Sequence, residues 1–387
     1  MRYIAGADGI FRVVNLANLK EQAFEIGPLR PPSESGRSSL LLRVTKNCQW
    51  NRCTFCYGRF YNRQPFEVRS VPDLMDEIDS VAAIRDEMSK LSQKLGYPGN
   101  IGPVAPILDS RALYGKETKN LDDSEFKNLY CLITVFNWLV SGAESVFLQD
   151  ADALCMDTDQ LIEVLSHLNA AFPTIKKITS FTRSKTLVSK GKEELSRLRQ
   201  SGIVRLYVGL ETGDEELLEH VDKGVTAEEH ILAGKKALAA GFELSECIMP
   251  GLGGRSMWVR HAKNTARVLN EINPQYIGLS PFVPVDGTPL LEAYRKGEFQ
   301  LTSPHERLRE IKLMVENLHV NSRVCFTHPF NASYRSGNSL VPLMRQDYGG
   351  YKFPEEKETV LKLIEKGLHV DEKAFLDVSQ LAGIDHL

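Results

Sequence analysis

Short apolar runs alternate along the chain with longer stretches in which apolar residues recur every three or four positions. Runs of this length bounded by polar residues predict buried strands, and the first is Ser39–Val44, with the sequence Ser-Leu-Leu-Leu-Arg-Val. Five later runs have the same character. They are Ser145–Gln149, Lys177–Phe181, Val204–Leu210, Glu243–Met249 and Tyr276–Val283.

The segments between these strands carry helical patterns. One helix is predicted to begin near Pro72 and to bury the apolar positions spaced along 74–91. Capping boxes at Thr226–Glu229 and Ser303–Glu306 mark the starts of two more helices. A strand followed by a helix, repeated along the chain, predicts an α/β fold with a parallel sheet, either open and doubly wound or closed as a barrel.

These elements divide the chain into three predicted parts. Residues 1–39 form a lead-in that ends in a proline-rich, extended connector. Residues 40–290 hold the strand–helix core, which is interrupted at about 96–123 by an irregular insertion suited to a lid or to a plain surface excursion. Residues 291–387 are predicted to form a C-terminal helical extension.

Composition narrows the class of protein. The chain has 387 residues, of which 42% are apolar and 25% charged, as in globular proteins. Its net charge of -3 gives no electrostatic reason to expect nucleic acid as a partner. We find no secretory leader and no run long enough to span a bilayer, so we expect no membrane partner and a cytoplasmic location. The 7 cysteines do not form a pattern typical of disulfide frameworks.

Three of the cysteines, Cys48, Cys53 and Cys56, lie within one loop directly after the first predicted strand. Thiolates this close repel one another unless a metal neutralises them, and three soft ligands are one short of the usual four. A distant fourth residue would make the site structural, whereas a bound molecule would make it reactive. No His or Cys follows within the spacing of an ordinary zinc site.

Polar and glycine-rich segments follow the other predicted strands, and the carboxyl ends of parallel strands share one edge of a sheet. The loop after the second strand is acidic, and glycine turns follow the fourth and fifth. We therefore expect one rim to hold a polar ligand beside a metal centre. The segments are Gln149–Asp152, Ser180–Arg183, Gly209–Gly213, Met249–Gly254 and Pro281–Pro289.

Together these motifs resemble the radical S-adenosylmethionine superfamily, in particular its elongator, methylthiotransferase and anaerobic coproporphyrinogen-oxidase-like branch. The resemblance rests on the three-cysteine loop with Phe55, on Gly209–Gly213 followed by Lys223-Gly224, and on the Pro250–Gly254 and Gly287–Pro289 turns. It implies a partial (β/α)6 barrel of parallel strands. It also implies an anaerobic enzyme with a [4Fe–4S] cluster and S-adenosylmethionine as cofactors.

The implied chemistry is reductive cleavage of S-adenosylmethionine to a 5′-deoxyadenosyl radical that takes hydrogen from a small-molecule substrate. A flavodoxin or ferredoxin-type reductant would supply the electron. The resemblance assigns the cluster to Cys48, Cys53 and Cys56, and it identifies no catalytic residue beyond the cofactor sites. Phe55 resembles the aromatic residue near the adenine, and the Met249–Gly254 turn would offer backbone groups to the same ring.

The remaining cofactor contacts implied by the resemblance come from three strand ends. Gln149, Asp150 and Asp152 fall where the superfamily binds the methionine amino group, and Glu211 where a carboxylate meets the ribose hydroxyls. Thr182 and Arg183 are placed to reach the methionine carboxylate or the ribose. The list of predicted cofactor-binding residues is therefore Phe55, Gln149, Asp150, Asp152, Thr182, Arg183, Glu211 and Met249.

The chain departs from the superfamily pattern in two places. Four residues, rather than three, separate Cys48 from Cys53, and Gln149 and Asp150 stand where a glycine pair is usual. Structural alternatives also remain open: a zinc site at the cysteines, helix-leading carboxylates at the acidic positions, and a solvated cation at Arg183. At the level of function, the alternatives are a haem or cluster carrier on the same fold and a structural metal-binding module.

Overall fold

A computed structural model describes residues 2–9, 11–31, 39–56 and 65–383 of the chain. Residues 32–38, which include the last two residues of the predicted proline-rich connector at 27–33, lie outside this description. The strands are β1 (Arg2–Ala5), β2 (Phe11–Val14), β3 (Ser39–Arg43), β4 (Thr45–Lys46), β5 (Glu67–Val68), β6 (Ser145–Gln149), β7 (Lys177–Thr182), β8 (Ile203–Glu211), β9 (Glu243–Ile248), β10 (Tyr276–Leu279), β11 (Arg323–Cys325), β12 (Ser333–Ser336), β13 (Ser339–Pro342) and β14 (Tyr351–Lys352).

Helices occupy most of the segments between the strands. Short 3-10 turns lie at Gly102–Ile107, Thr118–Asn120, Ala153–Cys155, Pro329–Asn331, Glu372–Ala374 and Val378–Leu381. The α-helices are α1 (Ala17–Lys20), α2 (Val71–Lys94), α3 (Ser110–Tyr114), α4 (Asp123–Val140), α5 (Thr158–Ala171), α6 (Ser184–Ser189), α7 (Lys192–Gln200), α8 (Glu215–His220), α9 (Ala227–Ala239), α10 (Gly254–Ile272), α11 (Pro289–Arg295), α12 (Pro304–Asn317) and α13 (Lys357–Leu368).

The central sheet has eight strands in the order β14-β11-β10-β9-β8-β7-β6-β3. The pairs β3–β6, β8–β9, β9–β10 and β10–β11 are parallel, whereas β14 runs antiparallel to β11. Strands joined by helices in this order confirm the predicted α/β fold of the partial-barrel type.

The strands lie close to the predicted positions. β6 has the predicted bounds, and four other predicted strands share most of their residues with β3, β7, β8 and β9. β10 contains the first four of the eight residues predicted for the sixth strand. The sixth strand ends at Leu279 instead of Val283, because residues 280–284 leave the ladder before a turn. The segment after residue 291, predicted to be helical, also contains β11 to β14.

The chain divides into two compact units. One comprises residues 1–46, 68–179 and 200–203, and the other comprises residues 47–67, 180–199 and 204–387. The first unit contains β3, β6 and the helices α2, α4 and α5, and the insertion at 96–123 forms two 3-10 turns and α3 there. The second unit contains β8 to β11 with α8 to α13. In the described chain, no helix is both long and apolar enough to cross a membrane.

Local sequence explains where the principal helices start. Ser70 accepts a hydrogen bond from the Asp73 N–H at the start of α2, and Pro72 occupies its first turn. Thr226 and Ser303 form the predicted capping boxes of α9 and α12. The apolar stripe of α2 is buried as predicted, so its amphipathic pattern specifies the face that packs.

Candidate metal centre

The loop that carries the three clustered cysteines follows β4. Cys53 is buried, Cys48 is half-buried and Cys56 is exposed, and all three are free thiols. The chain turns at Asn47 and Asn51, whose φ angles of 65° and 46° lie in the left-handed region that asparagine tolerates. These two turns bend the loop on both sides of Cys48.

Backbone hydrogen bonds at Thr54 fix the loop from two directions. The Thr54 N–H donates to the Val221 carbonyl at 2.9 Å, and the Leu290 N–H donates to the Thr54 carbonyl at 3.1 Å. Cys53 and Phe55, on either side of Thr54, are buried in one apolar cluster. The other buried members of this cluster are Leu217, Val221, Leu252, Phe282 and Leu290. The cysteine loop is therefore supported by packed side chains from several elements.

Trp50 anchors the loop to the turn that follows α8. Its Nε1–H donates to the Asp222 carbonyl at 2.6 Å, and Arg52 forms an ion pair with the Asp222 carboxylate at 3.0 Å. The indole ring lies against Gly224, where an added Cβ would come within 2.3 Å of Trp50 Cε2. Gly224 also has a φ of 69°. Both conditions require glycine here, which explains the Lys223-Gly224 pair.

Lys223 is a cation that acts on Cys53 from outside the cysteine loop, and no role was predicted for it from the sequence alone. Its Nζ lies 3.1 Å from Glu211 Oε1 and 5.6 Å from the centroid of the Phe55 ring. Burial opposes the charge of Lys223, but the Glu211 carboxylate offsets burial and the pKa of Lys223 is raised. Burial raises the pKa of the Cys53 thiol, and the positive charge of Lys223 acts in the opposite direction.

Glu211 is held in an unusual backbone conformation at the end of β8. Its φ is 59°, and the pairing of β8 with β9 shifts register between Gly209 and Glu211. The Glu211 carboxylate folds back over Gly209, where an added Cβ would lie 2.4 Å from Oε1. Gly209 is therefore needed for the carboxylate to face Lys223.

The turn after β9 packs beside Glu211. The Met249 N–H donates to the Glu211 carbonyl at 3.0 Å, and the Leu252 N–H closes the turn on the Met249 carbonyl at 3.1 Å. The Met249 side chain packs against the apolar cluster that contains Cys53 and Phe55. Four of the predicted site positions, Cys53, Phe55, Glu211 and Met249, thus lie in one contiguous group.

Thr182 and Arg183 lie where β7 ends. Thr182 is the last residue of β7 and is buried. The Arg183 Nη2 donates to the Lys223 carbonyl at 3.0 Å, and its guanidinium lies 5.5 Å from the Trp50 ring. The Arg183 side chain is half-buried, and it contacts both the cysteine loop and the Lys223–Gly224 turn.

Gln149, Asp150 and Asp152 belong to the first unit, and all three are fully buried. The Gln149 side chain accepts the Gly27 N–H at 2.9 Å and donates to the Gly27 carbonyl at 3.1 Å. Asp150 forms an ion pair with Arg43 at 3.0 Å. The Gln149 and Asp150 side chains therefore have partners within their own unit, and their contact with a methionine amino group stays a prediction.

The chemistry of the donor set fits an iron–sulfur cluster. Soft thiolates suit iron over magnesium or calcium, and the lysine beside Cys53 offsets the negative charge that such a cluster carries. Three thiols also leave one metal position for an external ligand. Across the described residues, no three His, Cys, Asp or Glu side chains already stand in a ligand arrangement, so the fit rests on donor type and local charge.

Comparison with known proteins identifies relatives of the chain. The family model described as Radical SAM superfamily matches residues 137–264, a span that includes β6 to β9 and not the cysteine loop. A curated tRNA uridine(34) acetyltransferase of Methanocaldococcus jannaschii is 27% identical over 111 residues, which cover 28% of this chain and 20% of that protein. The match thus spans about a fifth of the relative's length.

Two solved structures align with part of the chain. The Elp3 protein of Methanocaldococcus infernus aligns with a TM-score of 0.43 at 16% identity, covering 77% of this chain and 61% of that one. Coproporphyrinogen III oxidase (HemN) from Escherichia coli aligns with a TM-score of 0.41 at 14% identity, covering 76% of this chain and 56% of that one.

The family match confirms the predicted resemblance to the radical S-adenosylmethionine superfamily. Members of that superfamily are enzymes, and they bind a [4Fe–4S] cluster and S-adenosylmethionine, the two cofactors predicted for this chain.

Proposed function

We propose that this chain is a radical S-adenosylmethionine enzyme that acts on a small-molecule substrate. The observation that carries the proposal is the packing of the three-cysteine loop against the Glu211–Lys223 pair and the Met249 turn. A structural zinc site needs no such carboxylate–lysine pair beside it, whereas a nucleotide cofactor needs groups that bind its ribose and its charge.

In this proposal Cys48, Cys53 and Cys56 hold the [4Fe–4S] cluster. Bound there, the cluster would supply the electron for reductive cleavage of S-adenosylmethionine to methionine and a 5′-deoxyadenosyl radical, which would take a hydrogen atom from the substrate. Glu211 accepts hydrogen bonds from the ribose hydroxyls and is held in position by Lys223. Phe55 and the backbone of the Met249 turn border the adenine.

The other cofactor contacts in this proposal are those that the resemblance implies. Thr182 and Arg183 lie at the end of β7, where they serve the methionine carboxylate or the ribose. Asp150 and Asp152, with Gln149 beside them, are assigned to the methionine amino group. The electron comes from a flavodoxin or ferredoxin-type reductant, and we place the enzyme in the cytoplasm under anaerobic conditions, where thiols and exposed iron–sulfur clusters persist.

Anaerobic reconstitution tests the proposal. With iron, sulfide, dithionite and S-adenosylmethionine, the protein is expected to show cluster absorbance and to release 5′-deoxyadenosine. Cys53→Ala should lose both signals, whereas Cys155→Ala, at a half-buried cysteine outside the loop, should keep both. Protein that retains only zinc would contradict the proposal. Iron binding and haem binding without nucleoside release would favour a carrier.

A nucleic-acid substrate is the second candidate, favoured by the name of the Methanocaldococcus jannaschii relative. Against it stands the charge balance of 47 Lys and Arg to 50 Asp and Glu, since proteins that grip phosphate backbones present an excess of cations. A gel-mobility experiment with bulk tRNA at physiological salt distinguishes a nucleic-acid substrate from a small-molecule substrate. We expect no retarded band at micromolar protein, and a saturable shift would move the substrate class to tRNA.

A further inference from the structure

Arg307 is a buried cation, and two of its three guanidinium nitrogens lack a hydrogen-bond partner among the described residues. It lies in the first turn of α12 and is 1% exposed, and the two nitrogens are Nε and Nη1. A buried donor that finds no acceptor costs free energy, and a buried charge costs more than a neutral group. A cation retained in this state calls for an anion that completes it.

The nearby acidic side chains are already engaged. Both carboxylate oxygens of Glu310, one turn along α12, accept the Gly251 N–H, at 3.0 and 3.2 Å, and one of them lies 2.6 Å from His261 Nδ1. Asp377 Oδ1 accepts the Ser379 N–H at 2.9 Å. Burial lowers the pKa of Arg307 to about 10, and the charges of Asp377 and Glu310 oppose that change. Arg307 therefore remains charged at neutral pH.

The position of Arg307 is that of a ligand site. Its Cδ lies 4.0 Å from where a Cβ on Gly251 would be, in the turn that follows β9. At the end of the next strand, β10, Asn331 Nδ2 donates to the Leu279 carbonyl at 2.7 Å. Asn331 is also buried, and its Oδ1 has no partner in the described chain. Unsatisfied donors and an unsatisfied acceptor thus lie at the carboxyl ends of adjacent parallel strands, where α/β proteins bind ligands.

His328 lies on the same side of the sheet, after β11. Burial lowers the pKa of His328, and the charge of Arg307 lowers it further, which places the two side chains within electrostatic reach of each other. The His328 side chain is only half-buried and so marks the more open side of the group.

We propose that Arg307 binds an oxyanion of the substrate, a carboxylate or a phosphate, while Asn331 Oδ1 accepts a hydrogen bond from a hydroxyl or amine on the same molecule. That the bound anion belongs to the substrate rests on the function proposed above, but the existence of the anion site does not. The proposal limits the substrate to small molecules that carry an acidic group. It also places that group beside the Met249–Gly254 turn.

Thermal unfolding of the reconstituted holoprotein, with malonate and inorganic phosphate as probes, tests the site. At matched ionic strength against sodium chloride, one or both probes should raise the melting temperature by about 2–4 °C at saturation. Arg307→Met should abolish this rise and should not lower the melting temperature in chloride, because it removes a buried charge whose Nε and Nη1 have no hydrogen-bond partner among the described residues. Arg309→Met, at an exposed position on the same helix, should keep the rise.

Each outcome has a definite meaning. A response to malonate alone assigns a carboxylate, and a response to phosphate alone assigns a phosphate. No response in the unmodified protein, or an equal response in Arg307→Met, would overturn the anion site. If Arg307→Met does not fold, Arg307→Lys keeps the charge without the Nε and Nη donors and should reduce the shift at least twofold. Loss of 5′-deoxyadenosine release with the anion response intact would refute the proposed function but not the site.

Discussion

His261 Nδ1 lies 2.6 Å from Glu310 Oε1, and both side chains are fully buried between α10 and α12. The other ring nitrogen, Nε2, donates to the Glu211 carbonyl at 3.2 Å, while Glu310 accepts the Gly251 N–H. The pair therefore links the end of β8 to the turn after β9. In the proposed enzyme these are the ribose-binding and adenine-binding segments, so His261 and Glu310 are positioning residues.

Glu310→Gln tests this link. Glutamine has one carboxylate oxygen fewer to accept the Gly251 N–H and to face His261 Nδ1, and a buried polar group left without its partner costs about 1–3 kcal/mol, so we expect the free energy of unfolding to fall by about 2 kcal/mol. The measurement is urea denaturation. Glu316→Gln, exposed on the same helix, should change the free energy of unfolding by less than about 0.5 kcal/mol. Equal effects of the two substitutions would show that the link contributes little.

Lys223 is expected to tune the cluster electrostatically. Its ammonium lies beside Glu211 and over Phe55 and acts on Cys53, one of the proposed cluster ligands, and a positive charge favours the more negative, reduced cluster. Lys223→Met should lower the reduction potential by about 60 mV, which is tenfold in the equilibrium constant for one electron. Potentiometric titration followed by electron paramagnetic resonance measures the change. Lys235→Met, at an exposed surface pair, is the control and should leave the potential unchanged.

Gly224→Ala should disrupt the cysteine loop. The added Cβ meets the Trp50 ring at 2.3 Å, and φ is positive, so we expect a loss of about 2 kcal/mol or more in the free energy of unfolding. Iron content after reconstitution should fall as well. Gly297→Ala isolates the backbone contribution, since its φ is 78° but an added Cβ meets nothing within 4 Å. If both variants retain iron equally, the Trp50 contact does not hold the loop.

Buried His230 gives the stability a defined pH dependence. Its Nδ1 shares a hydrogen bond of 2.7 Å with Ser184 Oγ, and burial, followed by the charges of Lys223 and Arg183, lowers the pKa of His230 to about 3. The unfolded chain binds the proton near pH 6.5, whereas the folded chain does not until about pH 3. Stability from this group is therefore complete above pH 6.5 and falls as the pH is lowered through that window.

The expected slope for one such group is about 1.4 kcal/mol per pH unit. The measurement is the free energy of unfolding at pH 6.5 and at pH 5. The His230→Asn variant should lack the contribution of His230 to the difference between these two values. His369→Gln, at an exposed position, should match the unmodified protein. An unchanged slope in His230→Asn would mean that His230 is protonated in the folded chain.

Local sequence patterns predicted the repeating elements well. The bounds of β6 and the capping boxes of α9 and α12 depend on neighbouring residues alone, and such signals can be seen in one sequence. β11 and β14 have three and two residues, too few to display a period, so they were not anticipated. Their position depends on the strand beside them.

The residue types of the candidate site could be read from the sequence, but the contacts that support them could not. The cysteine spacing and the Gly209–Gly213 motif predicted the cofactor segments, whereas the buried contacts of His261 with Glu310 and with the Glu211 carbonyl join residues far apart in the chain. His261 does lie next to Ala262 and four residues before Thr265 on the buried stripe of α10, so the signal for its burial was present in the sequence. The lack of hydrogen-bond partners for Arg307 Nε and Nη1 among the described residues depends on elements far apart in the chain, and no local sequence pattern encodes it.

The two hydrogen bonds between the Gln149 side chain and the Gly27 backbone limit how far the protein can be shortened. Residues 40–290 contain every predicted cofactor ligand, so a chain cut to that span looks sufficient for chemistry. Such a truncation would remove the Gly27 partners of both polar atoms of the Gln149 side-chain amide, which is fully buried. The first 31 residues should therefore be treated as part of the folding unit, and a shortened version is expected to aggregate during expression even with all its cysteines intact.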